Sequence, residues 1–117
     1  MKMTKVEQRK IFIDLRDFCR KPEFEKIGDE TFSKRDEYGK IYEGLRKTGN
    51  FDVDYADNLK GRDGYKMASN AEKLTFKECC TVLTFLLRAE RFAEGAFTEE
   101  LSKGNVHKLL ARAVEVM

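Results

Sequence analysis

A single proline, one histidine and no tryptophan leave this chain short of the residues that usually announce chemistry. Its three cysteines, Cys19, Cys79 and Cys80, are odd in number and two are adjacent, which makes a poor disulfide framework. No Cys-x-x-Cys pair exists to hold zinc, so neither a metal nor a cofactor is expected. Reduced thiols in a cytoplasmic setting are the expectation instead. Long apolar runs are also missing. The longest, Val82 to Leu87, is interrupted by Thr84 and is far too short to span a bilayer. Met1-Lys2-Met3-Thr4 leads into charged residues rather than an apolar stretch, so no secretory leader is expected and the protein reads as soluble. An excess of one charge is missing as well. The formal net charge of +2 is small for a nucleic-acid binder, whose basic face usually shows in the total.

What is present is enough for a packed core. The 117 residues suit one domain covering 1–117, and 41% are apolar, with nine Phe and four Tyr. Thr4-Lys5-Val6-Glu7 reads as a capping box, followed by Ile11, Leu15 and Phe18 at helical spacing, which predicts a helix over Thr4–Arg20. Pro22 interrupts the chain, and the stretch to Ile27 reads as a short helix ended by Gly28. Tyr38, Ile41, Tyr42 and Leu45 define the apolar face of a helix over Glu30–Lys47 that stops at Gly49. Gly39 and Gly44 interrupt it, each at a cost of about 1 kcal/mol against Ala, unless they admit a close neighbour.

The middle of the chain is irregular. Phe51, Val53 and Tyr55 alternate with polar residues, but residues 51–57 have no partner strand of similar quality. An extended connector laying its aromatics on the core is the preferred reading. Lys60 to Gly64 forms a turn, and a short helix follows over Tyr65–Asn70. Thr75-Phe76-Lys77-Glu78 is a second capping box. It opens a helix over Thr75–Ala93 that is apolar around so much of its circumference that it should be buried on several sides. Gly95 and Gly104 read as stops, with Thr98 and Asn105 as fresh N-caps. The last helix, from Asn105, carries Val106, Leu109, Leu110, Ala113, Val114 and Met117 on one face. The expected fold is therefore mainly α, five or six helices around a central buried helix at about 75–93.

Few constellations could carry chemistry. Arg88, Glu90, Arg91, Glu94 and Gly95 form the most pointed polar cluster. Glu90 falls on the apolar stripe four residues after Leu86, so its carboxylate should turn inward. It could help bind a cationic or phosphate-bearing ligand. The preferred reading is structural: Glu90 accepts from backbone N–H groups of the following turn, with Arg88 or Arg91 balancing it, since a helix start leaves four donors unpaired. Asp52, Asp54, Asp57 and Asp63 invite a calcium reading, yet the EF-hand pattern fails where Ala56, Asp57 and Asp63 stand at its fifth, sixth and twelfth positions. His107 falls off the apolar face and should meet solvent. Cys79 and Cys80 read as apolar fillers. A helix-turn-helix reading would place Asn105, His107, Lys108 and Arg112 on an exposed recognition face. Glu99, Glu100 and Glu115 oppose it.

The segment Leu86 to Ala113, LLRAERFAEGAFTEELSKGNVHKLLARA, resembles the C-terminal signature of a bacterial family of small domains of unknown function. That signature runs R-x-E-R-F-x-(D/E)-G, a spacer, then x-x-G-x-(I/L/V)-x-x-L-L-x-R. Arg88, Glu90, Arg91, Phe92, Glu94 and Gly95 match its first part. Gly104, Val106, Leu109, Leu110 and Arg112 match its second. Ala93 departs from the small polar residue or Cys often found there. The resemblance implies a mainly helical fold and brings no activity. On this reading the protein is a small interaction or regulatory module without catalysis, with a protein partner or a second copy as its ligand. Arg88, Glu90, Arg91, Glu94 and Gly95 are its candidate binding residues. A DNA-binding module through the last helix is the first alternative, and an enzyme built on Glu90 and Arg91 the second. No membrane role is expected.

Overall fold

Helices alone build the described part of the chain, residues 3–19 and 32–117 of a computed structural model. They are α1 (Lys5–Phe18), α2 (Phe32–Lys47), α3 (Tyr55–Leu59), α4 (Gly64–Ser69), α5 (Phe76–Phe92), α6 (Ala96–Ser102) and α7 (Asn105–Val116). A single 3-10 turn, Ala71–Lys73, links α4 to α5. The fold is mainly helical, as expected, with more helices than the five or six read from the sequence. The short helix expected over Pro22–Ile27 lies outside the described residues.

Both capping boxes form. Thr4 Oγ1 accepts from Glu7 N at 3.1 Å while the Glu7 carboxylate takes Thr4 N at 2.9 Å, and Thr75 and Glu78 repeat this at the start of α5. Each exchange satisfies two backbone donors that the first turn leaves open. The expected connector at 51–57 is different. No strand forms there. Asp52 accepts from Asp54 N at 3.0 Å and from Asn58 Nδ2 at 2.8 Å, which turns the chain into α3 at Tyr55. Phe51 still packs on the core, whereas Val53 faces solvent.

The core is one cluster, and α5 runs through it as expected, packed against α2, α3, α4, α6 and α7. Its residues Cys79, Val82, Leu83, Leu86 and Leu87 are almost wholly buried. Burial of this kind contributes roughly 1.5–3 kcal/mol per large apolar side chain. α7 shares the central role, because α1 docks mainly on it and its Val106, Leu109, Leu110 and Ala113 are fully buried. At the α1–α2 crossing Gly44 is needed: a Cβ there would lie 2.7 Å from Leu15 Cδ1. Gly39 has open space around it. Gly64, at the first turn of α4, lies under Phe85, whose ring would come within 2.5 Å of a Cβ.

Gly64→Ala should therefore lower stability by about 1–3 kcal/mol through overpacking. Gly39→Ala, on an exposed helical position, should raise it by roughly 0.5–1 kcal/mol. Urea denaturation of both variants checks the pair. The thiols supply a second test. Cys19, Cys79 and Cys80 are buried and free, and burial pushes each from 9.0 up to about 12. Folding holds these protons on, so their contribution is intact below pH 9.0 and falls as pH rises from there toward about 12. The urea midpoint should drop through that window, and a thiol reagent should label the native chain only as fast as it unfolds.

Candidate functional site

The corner between α5 and α6 is built by one carboxylate. α5 ends at Phe92, Ala93 is extended, and Gly95 turns the chain with φ of 91°. Gly95 occupies the N-cap of α6 and has no side chain to cap with. Glu90 fills that role from the previous helix: Oε2 accepts from Gly95 N at 2.8 Å and Oε1 from Phe97 N at 3.0 Å. A negative group at a helix start is also favoured by the helix dipole. Thr98, expected as the cap, lies inside α6 instead. The corner is then pinned to α2, because Phe97 is buried and meets the Tyr38 ring edge-on at 5.4 Å. Tyr38 donates its hydroxyl to Leu87 O at 3.2 Å.

Glu90 is thus committed to backbone, as expected, but the expected balance from Arg88 or Arg91 does not form: neither arginine makes an ion pair with it. Arg88 lies over the Phe51 ring at 5.3 Å, and Arg46 of α2 lies over the same ring at 5.6 Å and over Tyr42 at 5.7 Å. Tyr42 contacts both Tyr38 and Phe51, at 6.4 and 5.1 Å. Burial pushes the Tyr38 phenol up, while Arg91 and Arg88 pull it back, which places both guanidiniums in its neighbourhood. Arg91 and Glu94 are exposed and make no hydrogen bond or ion pair among the described residues. Phe92 between them is 86% exposed, more than any other large apolar side chain of the described residues.

Arg46, Tyr42 and Phe51 were not candidates on sequence grounds. Tyr38, Tyr42 and Arg46 do share one face of α2 at spacings of four, but Arg88 joins them only through the fold. On the other side of the corner an open depression of about 410 Å³ is lined by residues that include Glu94, Gly95, Glu99 and Lys103, not Glu90. Lys103 lies 3.3 Å from Glu99 and 3.5 Å from the buried Glu100.

The residues of the recognition-helix reading are placed apart. Gly104, with φ of 84°, takes the N-cap expected of Asn105, and the buried Asn105 donates its amide to Glu100 Oε1 at 2.9 Å. Arg112 donates through Nε to Leu74 O at 2.9 Å and through Nη1 to Glu115. His107, expected to meet solvent, is half-buried with its Nε2 atom inside the protein. Lys108 alone of the four is exposed. Among the acidic residues of the middle segment, Asp52 also accepts from Thr81 Oγ1 at 2.6 Å, and Asp63 caps α4 through Tyr65 N at 2.9 Å. Among the described residues no group of His, Cys, Asp or Glu is arranged to hold a metal ion, and no helix is long and apolar enough to cross a membrane.

Residues 18–117 match the family of unknown function DUF6508. The chain belongs to that family. The resemblance to a family of unknown function therefore holds at the level of the family, and membership brings no activity with it. No curated protein and no solved structure matches the chain. Of the residues that carried the resemblance in this member of DUF6508, Glu90, Gly95, Gly104, Val106, Leu109, Leu110 and Arg112 are occupied in holding the fold together. Arg91, Phe92 and Glu94 are not.

Glu90→Ala would leave the N–H groups of Gly95 and Phe97 without an acceptor, and should cost about 1–3 kcal/mol by urea denaturation. Glu90→Gln, which keeps one acceptor oxygen, should cost less. Equal stability of Glu90→Ala and the wild type would show that the corner does not depend on this side chain.

Proposed function

We propose that this protein is a non-catalytic interaction module whose contact surface is the α5–α6 corner around Arg88, Arg91 and Phe92. One observation carries the reading: Phe92 is 86% exposed on a corner that Glu90 and Phe97 hold in place. A scattered exposed apolar residue is ordinary. This one projects beside two arginines, and aromatic side chains with arginine are the types enriched at protein interfaces. A fixed corner loses little freedom when it binds, which lowers the entropic cost of association. Three buried free thiols agree with a reducing, cytoplasmic setting.

The alternatives receive less support. For DNA, Asn105 and Arg112 are committed to Glu100, Leu74 and Glu115, which leaves Lys108 as the free base- or phosphate-contacting group of that helix. For catalysis, both oxygens of Glu90 are held by backbone donors.

The reading is tested with a photo-cross-linking phenylalanine analogue placed at position 92 and, as a control, at Val6, which is exposed to a similar degree at 79%. Position 92 should give a discrete adduct in cells, with another protein or with a second copy, and Val6 should give none. Identical adduct patterns at the two positions, or no adduct at 92, would remove the proposal.

A further inference from the structure

Two arginines of this surface, Arg46 and Arg88, are supported by aromatic rings, and among the described residues neither has a counter-charge. Arg46 and Arg88 both lie over Phe51, at 5.6 and 5.3 Å, and Arg46 also covers Tyr42. Contact with a ring face holds a guanidinium in place without using its N–H donors. Among the described residues neither of these side chains, nor that of Arg91, donates a hydrogen bond or meets a carboxylate within ion-pair distance. The one carboxylate on the same stretch of α5, Glu90, has both oxygens on backbone N–H groups. Arg91 and Phe92 stand three and four residues after Arg88, so all three share one side of α5. The result is a strip of three cations that ends in an exposed phenyl ring.

Resting on the interaction reading above, we propose that this strip recognises an acidic protein segment. Carboxylates meet Arg46, Arg88 and Arg91, and an apolar residue of the segment covers Phe92. Arginine presents donors in a fork that matches a carboxylate, and the underlying rings fix where that fork is offered. A single-stranded nucleic acid fits less well, because it needs bare ring faces for its bases to stack on. Here the guanidiniums already lie over Phe51 and Tyr42, and the free ring, Phe92, stands alone at the end of the strip.

The probe is a short fluorescein-labelled peptide of Asp and Glu around a central Leu, titrated with the full chain and followed by anisotropy. Saturable binding that weakens as salt rises is expected, and the same peptide with Asn and Gln should not bind. The double variant Arg46→Glu, Arg88→Glu should weaken binding by about tenfold. Arg91→Glu alone should weaken it by roughly threefold. Arg91 is exposed and makes no hydrogen bond, ion pair or ring contact among the described residues, so its effect answers the objection that loss of the ring contacts disturbed the structure. Unchanged affinity in Arg91→Glu and in the double variant would overturn the proposal. So would a wild-type chain that ignores the acidic peptide, or one that prefers an oligothymidylate to it. A chain that cross-links through position 92 but ignores the peptide loses only this inference. One that binds the peptide through the arginines but gives no adduct at 92 loses the earlier reading of Phe92.

Discussion

The contact between α5 and α7 is the constraint from which the remaining architecture follows. α5 is apolar around most of its circumference, and a helix of that kind is stable in water only when covered on several sides. α7 covers one side with Val106, Leu109, Leu110 and Ala113, all fully buried, and turns the adjacent stripe toward α1. Only a short α6 separates the two long helices, so the link between them has little freedom. Gly95 and Gly104, both with positive φ, make its two sharp turns, and the carboxylates of Glu90 and Glu100 reach forward to hold them. The surface that carries the proposed function is one of those turns. Its exposed residues are displayed by a structural device rather than by a loop.

That device separates two roles inside a single short run of sequence. Glu90 and Gly95 shape the chain, while Arg91, Phe92 and Glu94 remain outside. Read as a cluster, the five polar or small residues of Arg88–Gly95 invite a catalytic or ligand-binding interpretation. The geometry divides them. Glu90 is spent on backbone donors, Arg88 lies over the Phe51 ring, and Arg91 stays exposed.

Much of the fold was legible because its signals are local. The two capping boxes, the apolar periodicity of α5 and α7, and the turns at Gly95 and Gly104 depend on residues within a few positions of one another. The misreadings share a cause. Thr98 and Asn105 were expected to cap because they are good cap residues, but each follows a glycine that already occupies the cap, and Glu90 satisfies α6 from the preceding helix. Residues 51–57 alternate like an extended segment, yet Asp52 receives the Asn58 amide and the chain turns into α3 at Tyr55. His107 lies beside the apolar stripe rather than on it, and its neighbours still enclose its ring nitrogen. The arginine–aromatic strip was not legible. Arg46, Phe51 and Arg88 are brought together only by the packing of α2 on α5.

The hydrogen bond from Arg112 to the Leu74 carbonyl fastens the last helix to the segment that leads into α5. During synthesis the residues of α5 leave the ribosome well before Arg112 does. Until then α5 can be covered by α2, α3 and α4, which precede it, but the side that α7 covers stays bare. Completion of the core therefore waits for α7, and a ribosome paused between the two helices would display one bare apolar side of α5 to whatever chaperones surround it.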